Sequence, residues 1–326
     1  MTNPTLAAAS DLGVWATMAV LVLAMVSFAV HLAVQGSAVQ ELVQAAPSQA
    51  RAGGGAGVAL AETAEQPRRN ATPAPGAGRR WGVLGLQLTI LATLLLVVSA
   101  ALRGLAVQRA PLGNMYEFAL AASSFALLIY SGWSLRRDRL WLGLFVVTPV
   151  LLILGAARLA WYTEASQLLP SLNSIWLVIH VTVATLTVGL FLVGFATASL
   201  YLLRERAERV GTAPLSGWLS ALPRAAVLER LTYGIHVVAF PLWTFTLIAG
   251  AIWAEQAWGR YWGWDPKEVW TFVIFTVYAA YLHARATTGM STPRATWIAI
   301  AGFGCIIVNY AVVNIFFVGF HSYSGV

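Results

Sequence analysis

Residues 174–203 read SIWLVIHVTVATLTVGLFLVGFATASLYLL, without a single Asp, Glu, Lys or Arg. A helix needs about 20 mostly apolar residues to cross the hydrocarbon core of a bilayer, so this stretch is long enough to span a membrane. Seven further stretches are nearly as apolar: 12–34, 82–103, 115–135, 139–157, 232–255, 267–288 and 295–320. Only helices and closed barrels satisfy the backbone in lipid, and the alternation of barrel strands is absent from the sequence. The sequence therefore predicts an all-α membrane bundle with eight transmembrane helices.

The composition supports a membrane protein with a defined orientation. Hydrophobic residues make up 59% of the chain and charged residues 10%, and the mean hydropathy of +0.72 lies outside the range of soluble domains. Fifteen of the 20 Lys and Arg residues fall in the loops on one side of the predicted spans. By the positive-inside rule, both termini, the loop after the sixth span and the 158–173 loop lie outside the cytoplasm. We expect a multi-pass plasma-membrane protein, N-out and C-out, whose net charge of +7 needs no nucleic-acid partner.

Three parts are predicted along the chain. Residues 1–35 form the first transmembrane helix, and residues 81–326 form a seven-helix domain. Between them, residues 36–80 are rich in Ala, Gly, Pro and Arg without periodicity, which is typical of a flexible linker, here on the cytoplasmic side. Cys305 is the only cysteine, so the chain has no pair for a disulfide and no CxxCH haem-attachment motif of its own.

The loop after the sixth span is rich in aromatic residues and reads Trp258-Gly-Arg-Tyr-Trp-Gly-Trp-Asp-Pro-Lys-Glu268. Large rings separated by glycines form a flat surface on which a planar ligand can lie, and a porphyrin has that shape. An aromatic belt at the membrane interface also accounts for the tryptophans. It does not account for Gly259 and Gly263, because glycine costs stability unless something must approach closely.

The charged residues at the end of this loop have two interpretations. Asp265 at the N-cap, a proline at the next position and Glu268 at the third helical position form a capping box for the seventh span. Lys267, and Arg260 within the loop, are candidates to pair with the carboxylates of a porphyrin. A second outer segment, Pro111-Leu-Gly-Asn-Met-Tyr-Glu117, has the composition of a turn. Its Glu117 caps the third span or contacts a ligand, and both alternatives stay open.

Five histidines lie at two depths. His180 is about 9 Å below the outer start of the fifth span, and His321 ends the last span at the outer face. His283 is about 26 Å along the seventh span, near the inner face, where His31 and His236 also fall. A neutral imidazole is a good iron ligand, and ionisable residues inside membranes are functional by default. Each histidine could instead be an interfacial or packing residue, but the outer pair brackets the tryptophan loop in sequence and is the strongest candidate.

The motifs together resemble the CcsA/ResC family of System II cytochrome c biogenesis, called CcsB in actinobacteria, whose members carry a tryptophan-rich WWD domain. The resemblance covers residues 111–323. The matching motifs are Trp258–Glu268 followed by Trp270, Pro111–Glu117, Phe240-Pro241 with Gly250-Ala-x-Trp253, Tyr281-Leu-His283-x-Arg285, and Gly319-Phe-His321-Ser-Tyr323.

The resemblance implies a haem site at the outer face. Haem b would lie against the tryptophan loop, with His180 and His321 as the axial ligands of its iron. His283 would belong to a second, inner haem site. Its other ligand would come from the partner subunit or from His31 or His236. The predicted cofactor-binding residues are His180, His321, His283, Trp258, Gly259, Tyr261, Trp262, Trp264, Asp265, Lys267, Asn114 and Glu117.

The resemblance also implies an activity. The protein would be the haem-binding subunit of a cytochrome c synthase, which presents haem at the outer face for thioether attachment to CxxCH apocytochromes and also moves haem across the membrane. It would act with a ResB/CcsB-type membrane subunit, and no side chain is assigned as a catalytic acid or base. Two alternatives are a haem exporter without attachment activity and a b-type membrane electron-transfer cytochrome.

Overall fold

The computed structural model describes residues 2–52, 76–169, 172–210, 217–287 and 289–321. These ranges are helical apart from short connections, and they contain no strand, which confirms the all-α prediction. The long helices are α1 (Pro4–Ala52), α2 (Ala77–Val107), α3 (Met115–Arg136), α4 (Gly143–Ala160), α5 (Ile175–Val210), α6 (Ala225–Trp258), α7 (Pro266–Ala286) and α8 (Thr292–Ile307). Short 3₁₀ segments precede α4 (Leu140–Leu142) and α6 (Gly217–Ala221). Helix α8 continues as a π-helical segment (Val308–Val313) and a final turn (Asn314–Phe316).

Seven helices within the described ranges are long and apolar enough to cross a membrane, namely α1 to α6 and α8. The protein is thus a multi-pass membrane protein by the length and composition of its helices. Helix α7 has 21 residues, but its tryptophan, tyrosines, threonines and histidine make it less apolar than the others. The eighth span therefore stays a prediction, as does the N-out, C-out orientation.

The helix ends meet at two opposite ends of the bundle. At one end, which we call the tryptophan-loop end, hydrogen bonds join segments that are distant in sequence: Asn3 N to Ala106 O (2.8 Å), Tyr310 Oη to Met115 O (2.7 Å), Ser174 Oγ to Gln256 Oε1 (2.6 Å) and Phe320 N to Asp265 Oδ2 (2.6 Å). At the other end, the Arg285 guanidinium near the end of α7 is paired with Glu229 near the start of α6. Helix α7 therefore runs from one end of the bundle to the other.

Helices α1 and α2 pack closely along their lengths because glycines of α2 face large side chains of α1. A Cβ added at Gly82 or Gly85 would lie 2.9 Å from the rings of His31 and Phe28. Helix α1 continues into the segment that we predicted as a linker. Residues 37–46 contain neither Gly nor Pro and are rich in helix-forming Ala, Gln and Leu. Of the predicted 36–80 linker, the part up to Ala52 is helical, and residues 53–75 lie outside the described residues.

Candidate functional site

A cavity of about 490 Å³ lies at the tryptophan-loop end, enclosed by α3 to α8. Its volume is in the range of small-molecule sites, about 300–1,000 Å³. Seven of the twelve residues predicted from the sequence line it: Asn114, His180, Trp258, Tyr261, Trp262, Lys267 and His321. The two outer histidines, which are 141 positions apart in the chain, thus reach the same cavity.

His180 is held in the cavity wall by helix α6. Its Nδ1 donates to the backbone carbonyl of Thr246 at 3.0 Å, because a carbonyl can only accept. Gly250, one helical turn further along α6, makes room for the imidazole, since a Cβ there would lie 2.7 Å from Cε1. The next turn presents Trp253, whose ring is nearly parallel to the imidazole, with centroids 6.1 Å apart and planes at 13°. With Nδ1 carrying the proton, the lone pair of Nε2 is the one that could bind iron.

His321 is oriented by Asp265. Its Nδ1 donates to Asp265 Oδ1 at 2.9 Å. The same carboxylate accepts from the backbone N–H groups of Lys267 (3.0 Å) and Phe320 (2.6 Å), and it completes the predicted capping box with Glu268. Burial raises the pKa of the Asp265 carboxyl, but the hydrogen bonds outweigh burial and leave the pKa below its ordinary value. The carboxylate therefore stays ionised at neutral pH and keeps its partner proton on Nδ1 of His321.

Trp253 is a central residue of the site that we did not include among the predicted ligand contacts. Besides His180, it contacts His321 (ring centroids 5.9 Å apart) and Trp258 (4.9 Å). The signal was present in the sequence. Thr246, Gly250 and Trp253 are spaced four and three residues apart, so they share one face of a helix.

The loop itself departs from the flat platform that we predicted. Trp258 and Trp262 line the cavity, but Trp264 is 75% exposed and lies outside it, with its backbone in the left-handed region (φ +59°). Gly259 ends α6 with φ +71°, and a Cβ at Gly263 would lie 1.9 Å from the Arg260 guanidinium. The two glycines are thus required by the turn and by Arg260, and neither lines the cavity.

We expect Trp262→Ala to weaken haem retention and Trp264→Ala to leave it nearly unchanged. Stacking of a planar ligand on an aromatic side chain is worth about 1–3 kcal/mol, which corresponds to about 5- to 150-fold in affinity. The measurement is a haem titration of the two purified variants, which differ by the same truncation in the same loop. Equal losses would mean that the loop acts through interfacial anchoring and not through contact with the ligand.

The cations near the loop have different partners. Arg260 is paired with Glu268 (Nη1 to Oε1, 3.0 Å), does not line the cavity and stacks on Phe320. Lys267 lines the cavity, and its Nζ donates to the backbone carbonyl of Asn309 at 2.7 Å, in the π-helical segment. Of the two predicted carboxylate partners, Lys267 is therefore the one placed to meet a ligand.

Glu117 belongs to a buried ion cluster that supports the loops at the tryptophan-loop end. Its carboxylate accepts from Arg103 Nε at 2.9 Å and from Arg109 Nη1 at 2.8 Å, and also from the backbone N–H of Gly113 at 2.7 Å. Arg103 reaches onward to the backbone carbonyl of Thr163 in the loop after α4. Glu117 does not line the cavity, whereas Asn114, which caps α3 by accepting from Glu117 N (2.8 Å), does.

We expect Glu117→Gln to destabilise the protein by about 3–5 kcal/mol, because the buried guanidinium of Arg103 loses its compensating charge. The measurement is thermal unfolding in detergent. Glu205→Gln is the matched control, since it breaks the exposed pair with Arg209 on α5 and should cost less than about 1 kcal/mol. Similar melting temperatures for the two variants would contradict a supporting role for the cluster.

Residues 84–321 match the family model of the cytochrome C assembly protein. The chain belongs to this family. The cytochrome c biogenesis protein CcsA of Guillardia theta is 33% identical over 258 residues, which cover 74% of this chain and 85% of that protein. CcsA of Synechococcus sp. (strain JA-3-3Ab) is 33% identical over 298 residues, 74% and 84% of the two chains. These relatives confirm membership of the CcsA/ResC family.

The fold is also similar to a solved structure named cytochrome c heme lyase CcmF. The TM-score is 0.60 at 16% sequence identity, and the match covers 95% of this chain but 47% of the other. This likeness shows a shared helical fold. The present chain corresponds to just under half of the length of the solved protein.

The three inner histidines of this CcsA/ResC-family protein lie in different places. His283 is on the exposed face of α7. His236 is buried among α5, α6 and α7, with Nδ1 donating to Thr232 O (2.7 Å) and its ring 5.0 Å from that of Tyr281. His31 is buried between α1 and α2 and donates from Nδ1 to Gly78 O (2.7 Å). Neither His31 nor His236 lies on the exposed face of α7 that carries His283. The structure therefore does not place either of them next to His283.

Proposed function

We propose that this protein is the haem-binding subunit of a System II cytochrome c synthase, which holds haem b in the cavity and presents it to CxxCH apocytochromes. The observation that carries the proposal is the convergence of His180 and His321 on one cavity. Within the described residues, no cluster of three or more His, Cys, Asp or Glu side chains could hold a bare metal ion. Two imidazoles suit an iron whose other four ligands come from a porphyrin.

The hydrogen bonds of the two histidines support this assignment. Ligating histidines generally donate their second N–H to a carboxylate or a carbonyl, which fixes the ring and raises the basicity of the ligating nitrogen. His321 makes this bond to Asp265, and His180 makes it to Thr246 O. The site also offers Lys267 for a propionate and apolar and aromatic walls for the porphyrin face.

The proposed chemistry needs positioning more than acid–base catalysis. In each attachment a cysteine thiol adds across a haem vinyl group. A C–S bond forms, the thiol proton ends on the neighbouring carbon, and nothing is released or oxidised. Holding haem beside the acceptor peptide makes this addition effectively unimolecular. The side chains of the cavity bind and orient the haem, and the acceptor supplies both thiols and a histidine to replace one axial ligand.

The site is proposed to face outward from the plasma membrane, in a chain with eight spans and both termini outside. Helix α7 supports the eighth span, because its contacts place its two ends at opposite ends of the bundle. The positive-inside rule supports the orientation, since the tryptophan-loop end is the one that carries few basic residues.

We propose His283 as an inner haem station that is completed by the ResB/CcsB-type partner. His283 is exposed on α7, whereas the side chains of His31 and His236 are buried between other helices. We expect His283→Ala to lower the total haem of the co-expressed complex by more than half, because the inner site is lost and the outer site, which lies downstream on the proposed path, is depleted as well. Absorption spectra of the complex give the haem content. Normal haem content and normal cytochrome assembly in this variant would show that there is no inner haem station.

Reconstitution tests the proposed function directly. The purified complex is supplied with haem and a CxxCH peptide under reducing conditions, and thioether product is measured by mass spectrometry. Product that depends on both histidines supports a synthase. Transfer of haem across the membrane without product would favour the exporter. A b-type cytochrome requires facing histidine pairs at both depths, and in the described part of the chain only the outer pair shares a cavity.

A further inference from the structure

The cavity that contains the two histidines also opens sideways, between α4 and α8. Leu152 of α4 and Ile307 of α8 both line it, yet they are 68% and 53% exposed. Leu152 lies about 12 Å along the helix from the end of α4 at Ala160. The opening is therefore below the loops, at a depth where a membrane-spanning chain faces hydrocarbon.

Aromatic contacts define the upper and lower borders of this window. Above it, Trp161 at the end of α4 meets Tyr310 of α8, with ring centroids 5.1 Å apart, and Tyr310 Oη donates to Met115 O of α3. Below it, Phe195 of α5 stacks on Phe303 of α8, with centroids 4.6 Å apart and planes at 18°. These two aromatic contacts border the window above and below.

The lining changes from apolar to polar along the route inward. The lining next to Leu152 and Ile307 is aliphatic and includes Ile153 and Ala156. Deeper and closer to the loops lie Lys267, whose Nζ is a hydrogen-bond donor, and the imidazoles of His180 and His321. A ligand that uses the whole route must be apolar enough to leave the bilayer, must carry an acid group for Lys267, and must hold an atom that binds imidazole.

We propose that haem b, released into the bilayer from the inner station, enters the outer site laterally, through the window between α4 and α8. The inference rests on the proposed function. A phospholipid acyl chain meets only the first of the three requirements, whereas haem has hydrocarbon edges, two propionates and an iron. Haem travels edge first past Leu152 and Ile307, and the propionates stop at Lys267, near the outer boundary of the bilayer.

Cross-linking across the window tests the route in the full chain. Cys305, the only native cysteine, is replaced by Ser, and Leu152→Cys and Ile307→Cys are introduced together. The pair is bridged with a thiol-cleavable bismaleimide. The protein is reconstituted in phosphatidylcholine vesicles that contain haem b, and loading of the site is followed by its absorption spectrum. We expect bridging to slow loading at least tenfold and cleavage of the bridge to restore the rate. Each single-cysteine variant, treated with the same reagent, should load normally.

A second variant keeps the test independent of the cysteine pair. Ala156→Trp places a large ring beside Leu152 and should slow loading, with the rate and not the final haem content as the measurement. Unchanged rates in both the bridged protein and Ala156→Trp would overturn the lateral route, even if native mass spectrometry found a lipid in the window. The parent protein separates the two proposals. If it loads haem while bridging has no effect, only the route is wrong, and if it binds no haem at all, the proposed function and the route fail together.

Discussion

Replacement of His180 or His321 by alanine is expected to abolish cytochrome c assembly. Each substitution removes one of the two imidazoles that reach the cavity, and the remaining ring leaves one axial position of the iron without a protein ligand. Loss of a group that merely supports a metal ligand costs about 10–100-fold in affinity, so loss of the ligand itself should cost more. The measurement is haem-stained cytochrome c in membranes of cells that express each variant.

Added imidazole should restore part of the activity in both alanine variants, because the free base can occupy the vacant axial position. His31→Gln is the control. The amide of Gln can still donate toward Gly78 O, and His31 lies between α1 and α2, outside the cavity. We expect this variant to assemble cytochrome c normally. Normal cytochrome c levels in His180→Ala and His321→Ala would show that the cavity is not the site of haem binding.

Asp265→Asn is expected to lower haem affinity about 10–100-fold while preserving the fold. Asparagine is as good an N-cap as aspartate, so α7 keeps its cap. The bond to His321 Nδ1 loses its charge assistance, which roughly halves its strength and lowers the basicity of the ligating Nε2. The amide nitrogen that replaces Oδ2 cannot accept from Phe320 N, so that bond is lost too. Affinity is measured by haem titration, and the melting temperature of the haem-free protein reports on the cap. If affinity is unchanged, Asp265 serves the helix alone.

Much of this architecture can be predicted from local sequence patterns. The apolar stretch 174–203 lies within α5 except for its first residue, and Asp265 and Glu268 form the capping box that their spacing predicts. The convergence of His180 and His321 also follows from the sequence, because both are predicted at the same membrane face as the tryptophan loop, one before it and one after it in the chain. In each case the deciding interaction is close in sequence or is set by depth in the membrane.

The other features of the site depend on contacts between segments that are distant in sequence. Asp265 was interpreted as a helix cap, and its bond to His321 could not be inferred because it spans 56 positions. Glu117 was considered as a cap or a ligand contact, but its partner Arg103 lies in the preceding helix and is held by the loop after α4. Trp264 was predicted to bind haem, yet its left-handed backbone accompanies a side chain that lies outside the cavity.

The π-helical segment Val308–Val313 affects the direction of the residues that follow it, including His321. A π-turn holds one residue more than an α-turn, so residues beyond it are offset by about 100° from the position that a regular helix would give them. The segment brings Asn309 and Tyr310 to the cavity wall, and the chain then turns back at Phe317 so that Phe320 and His321 reach Asp265. The one extra residue of the π-turn thus determines which way the side chains after Val313 point. Deletion of Val312, which does not line the cavity, is expected to restore a regular helix and to turn His321 away from the cavity, although every side chain that lines the cavity would still be present.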